Sequence, residues 1–250
     1  MAQTATFRIW RGDRGQGAFR DYTAEISEGM VVLDAVHHIQ AEQAYDLAAR
    51  WNCKAGKCGS CSAEINGMPR LMCMTRLNQL PLDQPVTVEP MKTFPHIRDL
   101  VTDVSWNFAV KKQIRKFKPR TPDAPDGTWR MRQADADRVQ EFRKCIECFL
   151  CQDVCHVLRD HHKHAEFIGP RFLVHTAQLE MNPLDSDSRI ADLRRTQGIG
   201  YCNITKCCTK VCPEEIHITD NAIIPLKERV VDEFFDPLGR LFRVFRGERK

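Results

Sequence analysis

The sequence predicts an α+β chain: a small mixed domain over residues 1–98 followed by a mainly helical domain over residues 99–250. Three observations carry this prediction. Short alternating apolar and polar runs, two of them flanking Asn66-Gly67, fall before Pro95, and such alternation marks half-buried strands. Beyond Pro95 the apolar residues recur at helical spacing instead. All twelve cysteines fall in three short stretches, a grouping that scattered core cysteines would not produce.

Residues 4–10 and 19–26 alternate well enough to be strands around a polar turn at 11–17. That turn holds Gly12, Gly15 and Gly17 in the reverse order of a dinucleotide fingerprint, with no helix after it, so it reads as a loop and not as a phosphate cradle. Leu33, Val36, Ile39 and Leu47 recur at helical spacing through 31–50, a stretch free of Pro and Gly. Residues 62–65 and 69–72 flank Asn66-Gly67, a strong two-residue hairpin signal, and 85–89 reads as a closing strand. Two hairpins, one helix and a last strand suffice for a single small core. Strand patterns then end, and 99–117, 141–148, 171–181, 188–196 and 219–235 read as helices. Pro119, Pro122, Pro125 and Gly127 make 118–129 a loop.

With 42% hydrophobic and 28% charged residues, the chain is globular and not disordered. No window approaches the roughly 18 consecutive apolar residues of a spanning helix. Residues 1–17 carry Arg8, Arg11 and Arg14 and lack an apolar core, so no export signal is expected. A net charge of +4 is too mild to indicate nucleic acid. Six positive residues and no acid lie in 111–120, and Arg240, Arg243, Arg246 and Arg249 repeat every third position among apolar residues. Both read as solvated faces, with an acidic subunit or anionic lipid as the functional alternative.

Dense cysteine without an export signal points to metal or redox chemistry more than to disulfides. Cys53, Cys58, Cys61 and Cys73 are spaced C-x4-C-x2-C-x11-C, and the opening is the spacing that wraps a [2Fe-2S] cluster in plant-type ferredoxins. Gly56 and Gly59 suit a loop that turns tightly and aims backbone N–H groups at sulfur. A zinc site would pair two short knuckles, and only one is present. Cys145, Cys148, Cys151 and Cys155 form the bacterial run C-x2-C-x2-C-x3-C, in which the fourth cysteine serves a second cluster. The partner run keeps its register as Cys202, Thr205, Cys208 and Cys212, followed by Pro213. Crossing assigns Cys145, Cys148, Cys151 and Cys212 to a [4Fe-4S] cluster, and Cys155, Cys202 and Cys208 to the other. With Thr205 at the fourth corner there is no soft ligand, so that cluster is expected to be [3Fe-4S]. Cys207 reads as an unligated neighbour, with ligation as the alternative. His156, His161, His162 and His164 sit at spacings that point apart on a helix, so solvent exposure is expected for the last three. His156 directly follows Cys155 and is a candidate proton donor.

These three motifs in this order, with the stretch 29–35 ahead of the first loop, resemble the iron-sulfur subunit of succinate dehydrogenase and fumarate reductase over nearly the whole chain. The resemblance implies a β-grasp ferredoxin domain and an α-helical ferredoxin domain. It implies electrons passing from a separate FAD subunit that oxidises succinate to fumarate, through [2Fe-2S], [4Fe-4S] and [3Fe-4S], to quinone at a membrane anchor; the reverse order would reduce fumarate. It also implies a peripheral seat on the cytoplasmic face of the plasma membrane and no nucleic-acid partner. The residues agree with this role, because three clusters without a nucleotide fingerprint can carry electrons but cannot take hydride. In quinone-reducing relatives Pro follows the cysteine that closes the first run, a Trp lies a few residues on, and His follows the first cysteine of the second run. Here those positions hold His156, a Trp-free 157–160, and Asn203. A different quinone such as menaquinone, or an anchor that supplies more of the pocket, would follow, with His156 as the only quinone-side candidate. Relatives that feed a heterodisulfide or glycolate-type partner usually keep four cysteines per run, and Thr205 argues against them.

Overall fold

The structure, a computed structural model, describes residues 3–236; the arginine repeat at Arg240, Arg243, Arg246 and Arg249 lies outside the described residues. The chain packs as two units. Of the described residues, the first takes 3–106, Ile146–Val154 and Val211–Glu214, and the second takes Asn107–Cys145, Cys155–Lys210 and 215–236. Among the described residues, no helix is long and apolar enough to cross a membrane.

In the first unit β1 (Gln3–Asp13) and β2 (Gln16–Ile26) pair antiparallel over their full length. Both run longer than predicted, and the turn shrinks from 11–17 to Arg14-Gly15, whose φ values of 48° and 82° give the tight turn whose twist matches paired strands. The helix α1 (Val32–Glu42) opens where the Asp34 carboxylate accepts the Val31 N–H at 3.1 Å. It ends eight residues short of the predicted 31–50, because the N–H groups of Gln43 and Ala44 both return to the Ile39 carbonyl, at 2.9 and 2.8 Å. The Gln40 amide then bonds the Leu47 carbonyl at 2.7 Å, so Leu47 is still buried, but from a loop.

β3 (Ser62–Ile65) and β4 (Met68–Leu71) flank Asn66-Gly67 as predicted, and β5 (Val86–Glu89) runs parallel beside Phe7, Arg8 and Ile9 of β1. Two further strands, β6 (His96–Arg98) and β7 (Val101–Thr102), lie where strands were expected to have ended. The sheet order is β4-β3-β5-β1-β6-β7, with β2 also on β1, and Phe7, Ile9, Ile65, Val86 and Val88 share one buried cluster with Val32, Val36 and Ile39 of α1. This is the β-grasp half of an α+β chain. The predicted helix 99–117 cannot begin at Asp99: that residue has φ 47°, and its buried carboxylate accepts the N–H groups of Gly12 and Ala48 at 3.0 and 2.8 Å and pairs with Arg11 at 3.0 Å.

The remaining helices are α2 (Ser105–Gln113), α3 (Gln133–Gln140), α4 (Leu150–Asp153), α5 (His156–Arg159), α6 (Gly169–Glu180), α7 (Ile190–Arg195), α8 (Cys207–Lys210) and α9 (Ile224–Phe234). The predicted helix 141–148 is displaced to α3. Only Glu141–Lys144 continues it, as a 3-10 turn, because Glu147 and Phe149 take φ 55° and 62°, which no right-handed helix admits. The predicted 219–235 is a π-helical turn, Ile218–Ile223, that runs into α9. In the second unit Phe172, Leu173 and Ala177 of α6 are buried, as are Ile218, Ala222 and Ile223 of that turn. The loop 118–129 is irregular as expected, with an isolated bridge from Pro119 to Asp185.

The basic stretch 111–120 is not a uniformly solvated face. Arg115 pairs with Asp187 and Asp192, both at 2.8 Å, and Arg120 pairs with Asp123. Next to it Arg189 is fully buried: its guanidinium bonds Asp185 at 2.9 Å and the carbonyls of Arg115 and Lys116 at 2.9 and 2.7 Å. Backbone carbonyls and one carboxylate therefore satisfy the buried cation, which is the condition for tolerating it.

Candidate metal centres

Among the described residues no cysteine is in a disulfide, so every thiol of the three groups is chemically available. In the first group Cys53 lies on the loop between α1 and β3, Cys61 directly precedes β3, and Cys73 follows β4. The loop turns on Lys54, Gly56 and Gly59, with φ values of 55°, 66° and 67°. That left-handed backbone aims its N–H groups at sulfur: Ala55 and Lys57 donate to Cys53 Sγ at 3.4 and 3.3 Å, and Cys53 N–H donates to Cys58 Sγ at 3.5 Å. Such donors favour thiolate over thiol. Burial pushes the Cys58 thiol up, but hydrogen bonds from Ser60 and from Cys53 outweigh it and hold it down at about 6. At Cys61 burial prevails, and the thiol is pushed up to about 12; a bound cation would reverse that by supplying the missing counter-charge. Cys53 and Cys58 are partly exposed while Cys61 and Cys73 are buried, so the loop has a wet and a dry side. Trp51, ahead of Cys53, packs edge-on against His37 with ring centroids 4.7 Å apart.

Cys148 and Cys151 of the second group, and Cys212, belong to the first unit, and Cys145 closes a stretch of the second. Gly59 approaches Cys148 so closely that a Cβ on it would lie 2.6 Å from Cys148 Cα. The Ser62 hydroxyl stands 2.8 Å from the Cys148 carbonyl and 3.0 Å from that of Gly59. On the surface, Lys57 reaches Glu214, two residues past Cys212, at 3.4 Å. The first loop is thereby tied to the segment that carries Cys148 and to the one that carries Cys212. Thr93 anchors α4 through the Asp153 carboxylate at 3.1 Å and the Asp153 carbonyl at 2.9 Å. Spacing could not reveal Ser62, Lys57 or Thr93, because each acts through a tertiary contact.

Cys155, Cys202 and Cys208 line one cleft of the second unit, together with His156, Thr205 and Cys207. Ile204 and Lys206 take φ 62° and 61° on either side of Thr205. Glu147 and Phe149 do the same between the cysteines of the second group, so all three groups use left-handed non-glycine residues, a strained geometry that costs about 1–3 kcal/mol each. Cys208 Sγ lies 3.5 Å from Thr219 Oγ1. Burial pushes Cys155 up to about 11. Cys207 reads in the sequence as an unligated neighbour of Cys208 and Thr205; its sulfur is 3.2 Å from Thr205 Oγ1, and the hydrogen bond from Cys208, with smaller ones from Thr205 and His156, brings it down to about 5 against burial.

The histidines also depart from expectation. α5 ends at Arg159, so His156 and His161 are not held apart on one helix; their ring centroids are 6.2 Å apart. His161 and His162 are exposed as predicted, whereas His164 is half-buried and engaged.

The donor sets fit iron-sulfur clusters: soft thiolates in three groups, inward N–H donors, and glycine where a side chain would fill the cradle. Comparison with known proteins agrees. A family profile described as a 2Fe-2S iron-sulfur cluster binding domain matches residues 6–109, and one described as a 4Fe-4S dicluster domain matches residues 141–216. The chain is 32% identical to the fumarate reductase iron-sulfur subunit of Mycobacterium tuberculosis, over 79% of this chain and 80% of that protein. It is 29% identical to the succinate dehydrogenase iron-sulfur subunit of Bacillus subtilis, over 73% of this chain and 72% of that protein. A chain of the Mycobacterium smegmatis Sdh1 complex in its apo form superposes with a TM-score of 0.91 at 58% identity, covering 95% of this chain and all of that one.

Proposed function

This chain belongs to the iron-sulfur subunits of succinate dehydrogenase and fumarate reductase, and from that membership we propose how its residues divide the work of electron transfer. Cys53, Cys58, Cys61 and Cys73 hold a [2Fe-2S] cluster, all within residues 1–98. Within residues 99–250, Cys145, Cys148, Cys151 and Cys212 hold [4Fe-4S], and Cys155, Cys202 and Cys208 hold [3Fe-4S]. The clusters, when bound, supply a one-electron relay between an FAD-containing subunit that oxidises succinate and a quinone, menaquinone by preference, at a membrane anchor. The complex is membrane-associated, and this chain sits peripherally, on the cytoplasmic side in our reading.

The observation that carries the reading is the altered third run. Thr205 keeps the place of a fourth ligand without its sulfur, in a chain whose residues 6–109 match a 2Fe-2S cluster binding domain. The protein's own contribution is to bind and to exclude water: Cys61, Cys73, Cys148, Cys151, Cys155 and Cys208 are buried, which lowers the local dielectric around each charge. Low-temperature EPR of the purified complex tests it. Succinate is expected to raise a [2Fe-2S] signal while an oxidised-state three-iron signal fades. Clusters that ignore succinate would leave a relay with a different donor, and zinc without acid-labile sulfide would overturn the relay itself.

His156 is our candidate for moving a proton on the quinone side, because it lines the third cleft with Thr205 and Cys207. His156→Ala is expected to slow succinate-to-quinone turnover by on the order of 10²-fold, as for loss of a general acid. Succinate-to-dye transfer, which needs no quinone, should be spared. Equal loss of both activities would remove His156 from the proton path.

A further inference from the structure

Cys207 is the one cysteine that the proposed ligand sets leave over, and its surroundings are not those of a bystander. Thr205 occupies the register position of the missing fourth ligand, and its hydroxyl is a hard donor, ill suited to an iron-sulfide corner. The Cys207 sulfur stands 3.2 Å from that hydroxyl, so a soft donor is adjacent to the place where register puts the fourth ligand. The same cleft is lined by Cys155, Cys202 and Cys208. Cys202 and Cys207 are half-buried where Cys155 and Cys208 are buried, so an ion arriving from solvent meets these two sulfurs first.

We propose that Cys207 is a fourth thiolate of the third site, able to capture an additional ferrous ion and convert the cluster there from three irons to four. The inference rests on the ligand assignment made above for that site. In balance, the one-electron-reduced, uncharged core [3Fe-4S] takes up Fe²⁺ to give a doubly positive [4Fe-4S] core. Cys207 binds the iron as its thiolate, any S–H proton leaving to solvent as the S–Fe bond forms, and no thiol is oxidised. The reducing electron comes from succinate through the relay, or from dithionite. Oxidation with loss of Fe²⁺ runs the exchange backwards, so the last cluster before the acceptor would respond to iron supply and oxidant.

The test uses the intact complex. It is reduced anaerobically with dithionite, exposed to excess ferrous ammonium sulfate, freed of unbound iron, and reoxidised gently before EPR and iron analysis. Wild type is expected to lose its three-iron signal and gain about one iron per complex, and ferricyanide should restore the signal. Cys207→Ser should keep the signal throughout, and Thr205→Cys, with a ligand in register, should lack it from the outset. If wild type as isolated already lacks the signal, Cys207→Ser must display it. The proposal is overturned if iron-loaded wild type retains its signal, if Cys207→Ser loads equally, or if both lack the signal as isolated. Should Cys207→Ser assemble no third cluster, Cys207→Ala decides: a three-iron signal that resists loading supports the proposal, and none makes Cys207 a primary ligand and overturns it. The [2Fe-2S] signal raised by succinate in the same samples reports the donor separately, so its absence counts against the dicarboxylate reading and not against Cys207.

Discussion

Gly59→Ala is expected to abolish the first cluster and to damage the second. Gly59 has φ 67°, a conformation that costs an alanine roughly 1–2 kcal/mol before any contact is counted. The contact is worse than the dihedral. The new Cβ would lie 2.6 Å from Cys148 Cα and 2.8 Å from Cys148 N, and these are backbone atoms that cannot rotate away. Either the loop from Cys53 to Cys61 withdraws or the segment bearing Cys148 does, and the Ser62 hydroxyl that bonds both carbonyls loses its geometry with them. Iron and acid-labile sulfide in the purified complex should fall, the succinate-reducible [2Fe-2S] signal should vanish, and succinate-to-quinone activity should drop at least about 10²-fold, as for a comparable misplacement of reacting groups. Gly56→Ala is the control. Its φ is similar at 66°, but its Cβ would meet the Met74 side chain, at 2.8 Å from Sδ, which can swing aside. A mild Gly56 variant beside a dead Gly59 variant would locate the cause in the Cys148 backbone. Equal effects would locate it in the dihedral alone.

What the sequence made legible and what it hid divide along the same line between local and tertiary causes. Asn66-Gly67 announced its hairpin because the turn chemistry is contained in two residues. The cysteine spacings were legible for the same reason, since ligand geometry is written in short intervals. By contrast, the stop of α1 at Glu42 is set by two N–H groups that return to Ile39, and nothing in the apolar periodicity through Leu47 signals it. Asp99 looked like the start of a helix, yet its carboxylate is consumed by Gly12, Ala48 and Arg11, partners remote in sequence. The left-handed residues Glu147, Phe149, Ile204 and Lys206 were invisible as well. None is glycine or asparagine, so no residue type in the sequence signals the conformation. Cys207 was read from register alone as a spare, and only its distance to Thr205 places it in the third cleft.

Arg189→Leu is expected to be the most destabilising single change in the second unit. The side chains of Arg189 and Asp185 are 0% and 1% exposed, so neither can recruit water when its partner is removed. Leucine approximates the aliphatic part of arginine but leaves Asp185 Oδ2 and the carbonyls of Arg115 and Lys116 without their donor, while Asp185 Oδ1 keeps the N–H groups of Lys118 and Asp187. Removing one member of a buried pair costs about 3–5 kcal/mol, because the other charge remains desolvated. Lysine would not rescue it: an ammonium on a flexible stem cannot reproduce a planar fork that spans a carboxylate and two carbonyls. The double variant Asp185→Asn with Arg189→Leu should recover part of the loss, since the uncompensated charge is gone while the two carbonyls stay unpaired. Hydrogen exchange in the assembled complex would resolve the effect, with loss of protection expected across α6 and α7 and little change in the β-grasp sheet. If Arg189→Leu left the protection of α6 and α7 intact, the buried cation would be an incidental passenger of the fold. If lysine restored full protection, charge alone would matter and the fork geometry would not.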